Sequence, residues 1–120
     1  MVSKEKKVMD ISVQQSDQMN IVSIAGSIDA LTADQITSRL TELISSVKKH
    51  LVLDLSEVEF MSSAGLRAIL GALKETRQQG GDLYLAGAQA GVDRVLKMSG
   101  FSKILKTYDS VDEAVAQFNV

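Results

Sequence analysis

The side chains with the most chemical promise stand together in Phe60-Met61-Ser62-Ser63-Ala64-Gly65, where two hydroxyls precede the apolar stripe Leu66, Ile69, Leu70 and Leu73. Apolar residues recurring at three and four predict a helix that opens at the serines. Serine is a favoured N-cap, so one of the two is expected to accept a hydrogen bond from an amide a turn ahead. A hydroxyl in this place can also accept a phosphoryl group, because free amides and the positive end of the helix dipole favour an added charge of about −1.5 to −2. The residues by themselves leave both roles open. Asp29 poses a similar choice: it precedes a helix start at Thr32, where a carboxylate either bonds turn amides or presents itself to a partner.

Enzyme chemistry finds little support here. A serine esterase elbow needs glycine two places before the nucleophile, but Met61 and Ser62 precede Ser63. The only histidine, His50, is read as the end of a helix ahead of the central strand, where it complements the dipole. One histidine, no cysteine and no H-E-x-x-H motif leave no transition-metal constellation, so neither metal nor cofactor is expected. Gly87-Ala88-Gln89-Ala90-Gly91 lacks phosphate-loop spacing and is read as a tight turn.

The elements that must position these residues follow from periodicity. Met9, Ile11 and Val13 alternate with polar residues, as do Val22, Ile24, Gly26 and Ile28, which predicts two strands joined as a hairpin through Gln15 to Asn20. Thr32 with Gln35 forms a capping-box pattern, and Ile36, Leu40, Leu43, Ile44 and Val47 supply the stripe of a helix ending at Lys48, Lys49 and His50. Leu51 to Leu55 reads as a central strand, and Ser56 to Ala64 as irregular turns at its carboxyl end, where open α/β sheets present ligand or partner surfaces. The Ser63 helix stops at Gly80-Gly81, Leu83 to Ala86 is a buried strand, and a short helix carrying Val92, Val95 and Leu96 stops at Gly100. Ile104-Leu105 is expected as a brief edge strand, before a last helix opened by the Ser110/Glu113 capping box. The expected fold is α/β, β-β-α-β-α-β-α-β-α, with a mixed, mostly parallel sheet of five strands. Residues 1–7 are read as an arm and 8–120 as a single domain.

Composition narrows the partners. The 120 residues are 45% hydrophobic and 23% charged, enough for one core, while a net charge of −2 offers phosphate backbones no broad attraction. No nucleic-acid partner is expected. The charged start lacks an apolar h-region and no run reaches about 18 apolar residues, so neither export nor a membrane is expected and the cytoplasm is the default. Without cysteine there is no disulfide framework. A short charged chain without a long apolar patch is expected to be a monomer when free.

Four segments, in order, carry a resemblance: Ile24-Ala25-Gly26-Ser27-Ile28-Asp29, then Leu51 to Leu55 with Phe60 to Leu66, then Gly80-Gly81-Asp82-Leu83, then Val95 to Phe101. Together they resemble the STAS domain, in particular small anti-sigma factor antagonists, over about Val8 to Phe118. The resemblance implies a partner switch. In it, the unmodified protein binds an anti-sigma factor that is also a serine kinase and frees the sigma factor. Phosphorylation then releases the complex, and a serine phosphatase restores the binding form.

Carried over by position, the phosphoacceptor falls on Ser63, with Ser62 as runner-up. The family usually has aspartate where this chain has Ser62, and often a second hydroxyl and a small residue where it has Ala64 and Arg67. Arg67, one turn on, is either a solvated helix residue or a partner for a phosphate on Ser63. The implied docking surface comprises Asp29, Thr32, Ser62, Ser63, Ala64, Gly65, Leu66 and Arg67. A constitutive STAS interaction or scaffold module is the alternative, followed by a nucleotide or anion sensor on the same loops; fold alone does not choose among them.

Overall fold

The computed structural model describes residues 9–16, 19–45 and 50–118. Ten elements follow one another: β1 (Met9–Gln15), β2 (Met19–Ile28), α1 (Ala33–Ile44), β3 (His50–Met61), α2 (Ser63–Gln78), β4 (Leu83–Ala86), α3 (Ala90–Met98), a 3-10 turn η1 (Phe101–Lys103), β5 (Thr107–Tyr108) and α4 (Val111–Phe118). One sheet in the order β1-β2-β3-β4-β5 joins the strands, with β1 antiparallel to β2 and every other pair parallel. This is the expected five-stranded mixed sheet with four helices.

Strand order that never reverses has a consequence for the layers. Right-handed crossovers made in one direction put every connecting helix on one face. Accordingly, the buried residues of α1, α2 and α3 share one core with Val22, Ile24, Leu53, Leu55 and Leu85. The opposite face at β3 and β4 is left to α4, whose Ala114 and Phe118 pack with Val52, Tyr84 and Ala86.

The largest correction concerns β3. Residues 56–61, expected as turns, continue the strand to Met61, paired with β2 alone, since β4 reaches only Leu51 to Asp54. Two register shifts explain why the alternation was hidden: Ser23 and Ala25 oppose Asp54 and Glu57, and Gly26 and Ser27 oppose Val58 and Phe60. Each inserts one extra residue on β3. Core positions therefore fall at Leu55, Val58 and Met61, three apart rather than two.

Other boundaries moved for local reasons. α1 ends at Ile44, and the expected continuation through Val47 to Lys49 lies outside the described residues, as do the arm and residues 17–18 of the hairpin. His50 is no helix end: it opens β3, its Nδ1 accepts the Asp82 amide at 3.2 Å, and its ring stacks on Phe118 with centroids 4.3 Å apart. The edge strand is not Ile104-Leu105. Leu105 turns into the core and is 1% exposed. The Lys106 and Tyr108 carbonyls accept the Leu85 and Gly87 amides instead, both at 2.9 Å. The Ser110/Glu113 box does form, with the Glu113 amide on Ser110 Oγ (3.1 Å) and the Asp109 amide on Glu113 Oε1 (3.1 Å). Gly80 and Gly100 stop their helices at φ +90° and +83°.

Burial, and then the Asp82 carboxylate, push the Tyr84 phenol above its ordinary value of 10.0. The folded state thus holds this proton more tightly than the unfolded chain, so its contribution is intact below the unfolded pKa and is lost as pH rises through the folded one. Urea unfolding of the wild type is expected to lose more stability between neutral pH and the alkaline range above 10 than Tyr84→Phe does. Equal losses would remove Tyr84 from that dependence.

Candidate functional site

Two loops meet at the carboxyl ends of β2 and β3. The Ser62 amide donates to the Ile28 carbonyl at 2.8 Å, tying the end of one strand to the start of the helix after the other. Gly65 makes the approach possible: a Cβ there would run into the carbonyl oxygen and γ-methyl of Ile28 and lie 2.7 Å from its carbonyl carbon. Only glycine lets α2 sit this close to β2.

Within the first loop, Asp29 takes the first of its two expected roles, bonding turn amides. Asp29 Oδ1 accepts the Leu31 amide at 2.9 Å and the Thr32 amide at 3.3 Å, an Asx turn leading into α1. Thr32 occupies the N-cap position but makes no capping bond, so the Thr32/Gln35 box does not form. Its hydroxyl faces back, accepting the Asp29 amide (3.0 Å) and donating to the Ser27 carbonyl (2.9 Å). A threonine buried beneath the loop satisfies its hydroxyl with the nearest backbone groups, and these lie behind the helix start.

The second loop separates the serines by function. Ser62 has extended backbone (φ −95°, ψ 172°), and its Oγ accepts the Gly65 amide at 3.2 Å, so Ser62 is the cap. Ser63 is the first residue of α2 and is exposed, and among the described residues its hydroxyl has no partner. The Ser63 and Ala64 amides are likewise uncommitted among those residues. An exposed hydroxyl thus stands over free amides at the positive end of a 16-residue helix. Ser62→Ala is expected to cost about 0.5–2 kcal/mol in chemical denaturation. Ser63→Ala is expected to stay within about 0.5 kcal/mol of wild type, since it loses no bond.

The remaining expected site residues divide by exposure. Arg67 is exposed, Asp29, Ser62 and Ala64 are partly exposed, and Thr32, Gly65 and Leu66 are buried supports of that surface. Two exposed apolar residues escaped the sequence reading. Leu31, two residues past Asp29, is 82% exposed, and Phe60, two residues before Ser62, is 53% exposed. The signal for Leu31 is an apolar residue in a polar turn, off the α1 stripe; that for Phe60 was masked by the shifted register of β3. Charged and hydroxylic groups flanked by solvent-facing Leu and Phe form a surface suited to a protein partner. Among the described residues, no cluster of His, Asp and Glu could hold a metal ion, and no helix is long and apolar enough to cross a membrane.

The STAS domain model matches residues 10–114, and the chain belongs to the STAS domain family. It is 33% identical over 113 residues to the anti-sigma F factor antagonist of Paenibacillus polymyxa, covering 93% of this chain and 97% of that one. It is 35% identical over 100 residues to the anti-sigma-B factor antagonist of Listeria monocytogenes, covering 82% and 85%. Among solved structures, an anti-sigma factor antagonist from Mycobacterium paratuberculosis shares the fold with a TM-score of 0.85 at 24% identity, covering 93% of this chain and 95% of that one.

Proposed function

We propose that this protein is an anti-sigma factor antagonist working as a phosphorylation-controlled partner switch, a binding protein rather than an enzyme. In its unmodified form it binds an anti-sigma factor that is also a serine kinase and thereby frees the sigma factor. Phosphorylation of Ser63 releases the complex, and a serine phosphatase resets it. The observation that carries this reading is the division of labour between the serines: Ser62 is spent on the cap, while Ser63 is exposed and spare. Relatives named as anti-sigma factor antagonists over nearly the whole chain supply the partner class.

The geometry is favourable to both states. With the Asp29 carboxylate taken up by turn amides and Ser62 in place of a carboxylate, a phosphate on Ser63 meets free helix amides and Arg67 one turn on. The fold therefore has no reason to resist modification, and the effect of the charge falls on the partner. A hydrolytic reading lacks a base, because His50 is held by Asp82 and Phe118 at the far end of β3.

Peptide mapping by mass spectrometry of the protein from its native cells tests the switch. One phosphate on Ser63 is expected, present in some growth phases and removed by phosphatase. A phosphate on Ser62 would move the acceptor to the cap and predict a loosened helix start. A peptide unmodified in every growth phase, with phosphatases inhibited, would leave a constitutive STAS interaction module.

A further inference from the structure

Beside the Ser63 loop, a groove of about 620 Å³ runs along α2 toward the turn after α3. Leu66, Leu70 and Leu73 line it from α2, and Phe101 and Ile104, 36% and 43% exposed, from the other side. Its charged lining among the described residues is of one sign, Arg67, Lys74 and Arg77, on a chain whose net charge is −2. Arg77 is held by Asp82 at 3.1 Å, whereas Arg67 and Lys74 have no ion-pair partner among the described residues.

Gly71 lies midway along α2 and lines the same groove. Glycine destabilises a helix interior relative to alanine, so its presence there calls for a reason. At Gly65 the reason is internal, but a Cβ at Gly71 would meet nothing within 4 Å. What glycine adds on an open helix face is room for another backbone to come close. From Ser63 to Arg77 the lining spans roughly 21 Å of helix, the length of a helix of about fourteen residues and long for a compact small molecule.

We propose that this groove seats an acidic amphipathic helix of the protein partner. Its apolar ridge packs on Leu70, Phe101 and Ile104, it crosses α2 at Gly71, and its carboxylates pair with Arg67 and Lys74. Ser63 stands at one end of the groove, so a phosphate there would draw on Arg67 and repel those carboxylates. The proposal rests on the reading of this chain as a partner-binding protein and does not depend on whether Ser63 is modified.

The test titrates the isotope-labelled chain with a synthetic fourteen-residue helical peptide carrying leucines at i, i+3, i+4 and i+7 and glutamates elsewhere, and with its lysine counterpart. The glutamate peptide is expected to shift the Leu70, Gly71, Lys74, Phe101 and Ile104 amides saturably and to bind at least about tenfold more tightly than the lysine peptide. Arg67→Gln with Lys74→Gln should erase that preference, and Gly71→Leu should weaken binding about tenfold or more without lowering the melting temperature. Gly71→Ala should raise the melting temperature while weakening binding severalfold, a pairing that a purely structural glycine would not show. Equal affinity for the two peptides, shifts confined to the Asp29 and Ser63 loops, no shifts up to millimolar peptide, or wild-type binding by Gly71→Leu would each overturn the groove. Neither kinase nor ATP enters this assay, so its failure is separable from failure of the Ser63 switch.

Discussion

On the proposed switch, Ser63→Asp is expected to bind an anti-sigma factor about a hundredfold more weakly than the wild type, or worse, while folding normally. Ser63→Ala should bind as wild type and resist release by ATP. Folding is spared because the Ser63 side chain is exposed and, among the described residues, bonds to nothing. Binding is not spared, because a charge set into a packed protein interface must shed water, a penalty of several kcal/mol. Each ~1.4 kcal/mol is about tenfold in affinity, so even two such steps reach a hundredfold. Aspartate carries less charge than phosphate, which makes the variant a lower bound on the natural effect. Calorimetric titration against the purified anti-sigma factor, with thermal melts alongside, measures both halves. Wild-type affinity for Ser63→Asp, together with ordinary ATP release of Ser63→Ala, would rule out this serine as the switch.

Gly65→Ala should destabilise the protein by about 1–3 kcal/mol, the usual cost of forcing a methyl group into a packed site. The added carbon meets the Ile28 backbone, which cannot rotate aside as a side chain would. Relief requires α2 to move off β2, lengthening the 2.8 Å bond from the Ser62 amide to the Ile28 carbonyl and separating the Asp29 and Ser63 loops. Partner binding should therefore fall with stability. Gly71→Ala, six residues along the same helix, should change stability in the opposite direction by roughly 0.5–1 kcal/mol, since its Cβ enters open space. Urea unfolding of the two variants side by side gives opposite signs if Gly65 is packed against Ile28 and Gly71 faces open space. A neutral Gly65→Ala would show that the two loops are not held together by this contact.

Much of the architecture was legible because local chemistry and global fold agree. The alternation of Met9, Ile11 and Val13, the stripes of the helices and the glycine stops at Gly80 and Gly100 each specify an element whatever surrounds it. The Ser110/Glu113 box closed as its spacing implies, since all its partners lie within five residues. The Thr32/Gln35 pattern has the same spacing and did not close. The difference is burial: with Thr32 enclosed against β2, the Ser27 carbonyl and Asp29 amide outcompete the helix for its hydroxyl.

The sequence by itself determined that a helix begins at two serines after a central strand, that Asp29 stands at a second helix start, and that thiol chemistry has no residue to use. Those conclusions need only residue type and spacing. Which serine caps and which is spare, why Gly65 cannot be replaced, how far β3 runs, and that Leu31 and Phe60 face solvent were decided only by tertiary structure. The place of Gly65, the backbone anchor of Ser62 and the length of β3 depend on atoms brought together from distant parts of the chain, Ile28 against Gly65 and Ser62 and β2 out of register with β3, whereas the Ser62 cap itself is a bond to Gly65 three residues on. Periodicity reports which face of an element is buried, but not which distant residue it is buried against, and that second fact places the spare hydroxyl at the surface.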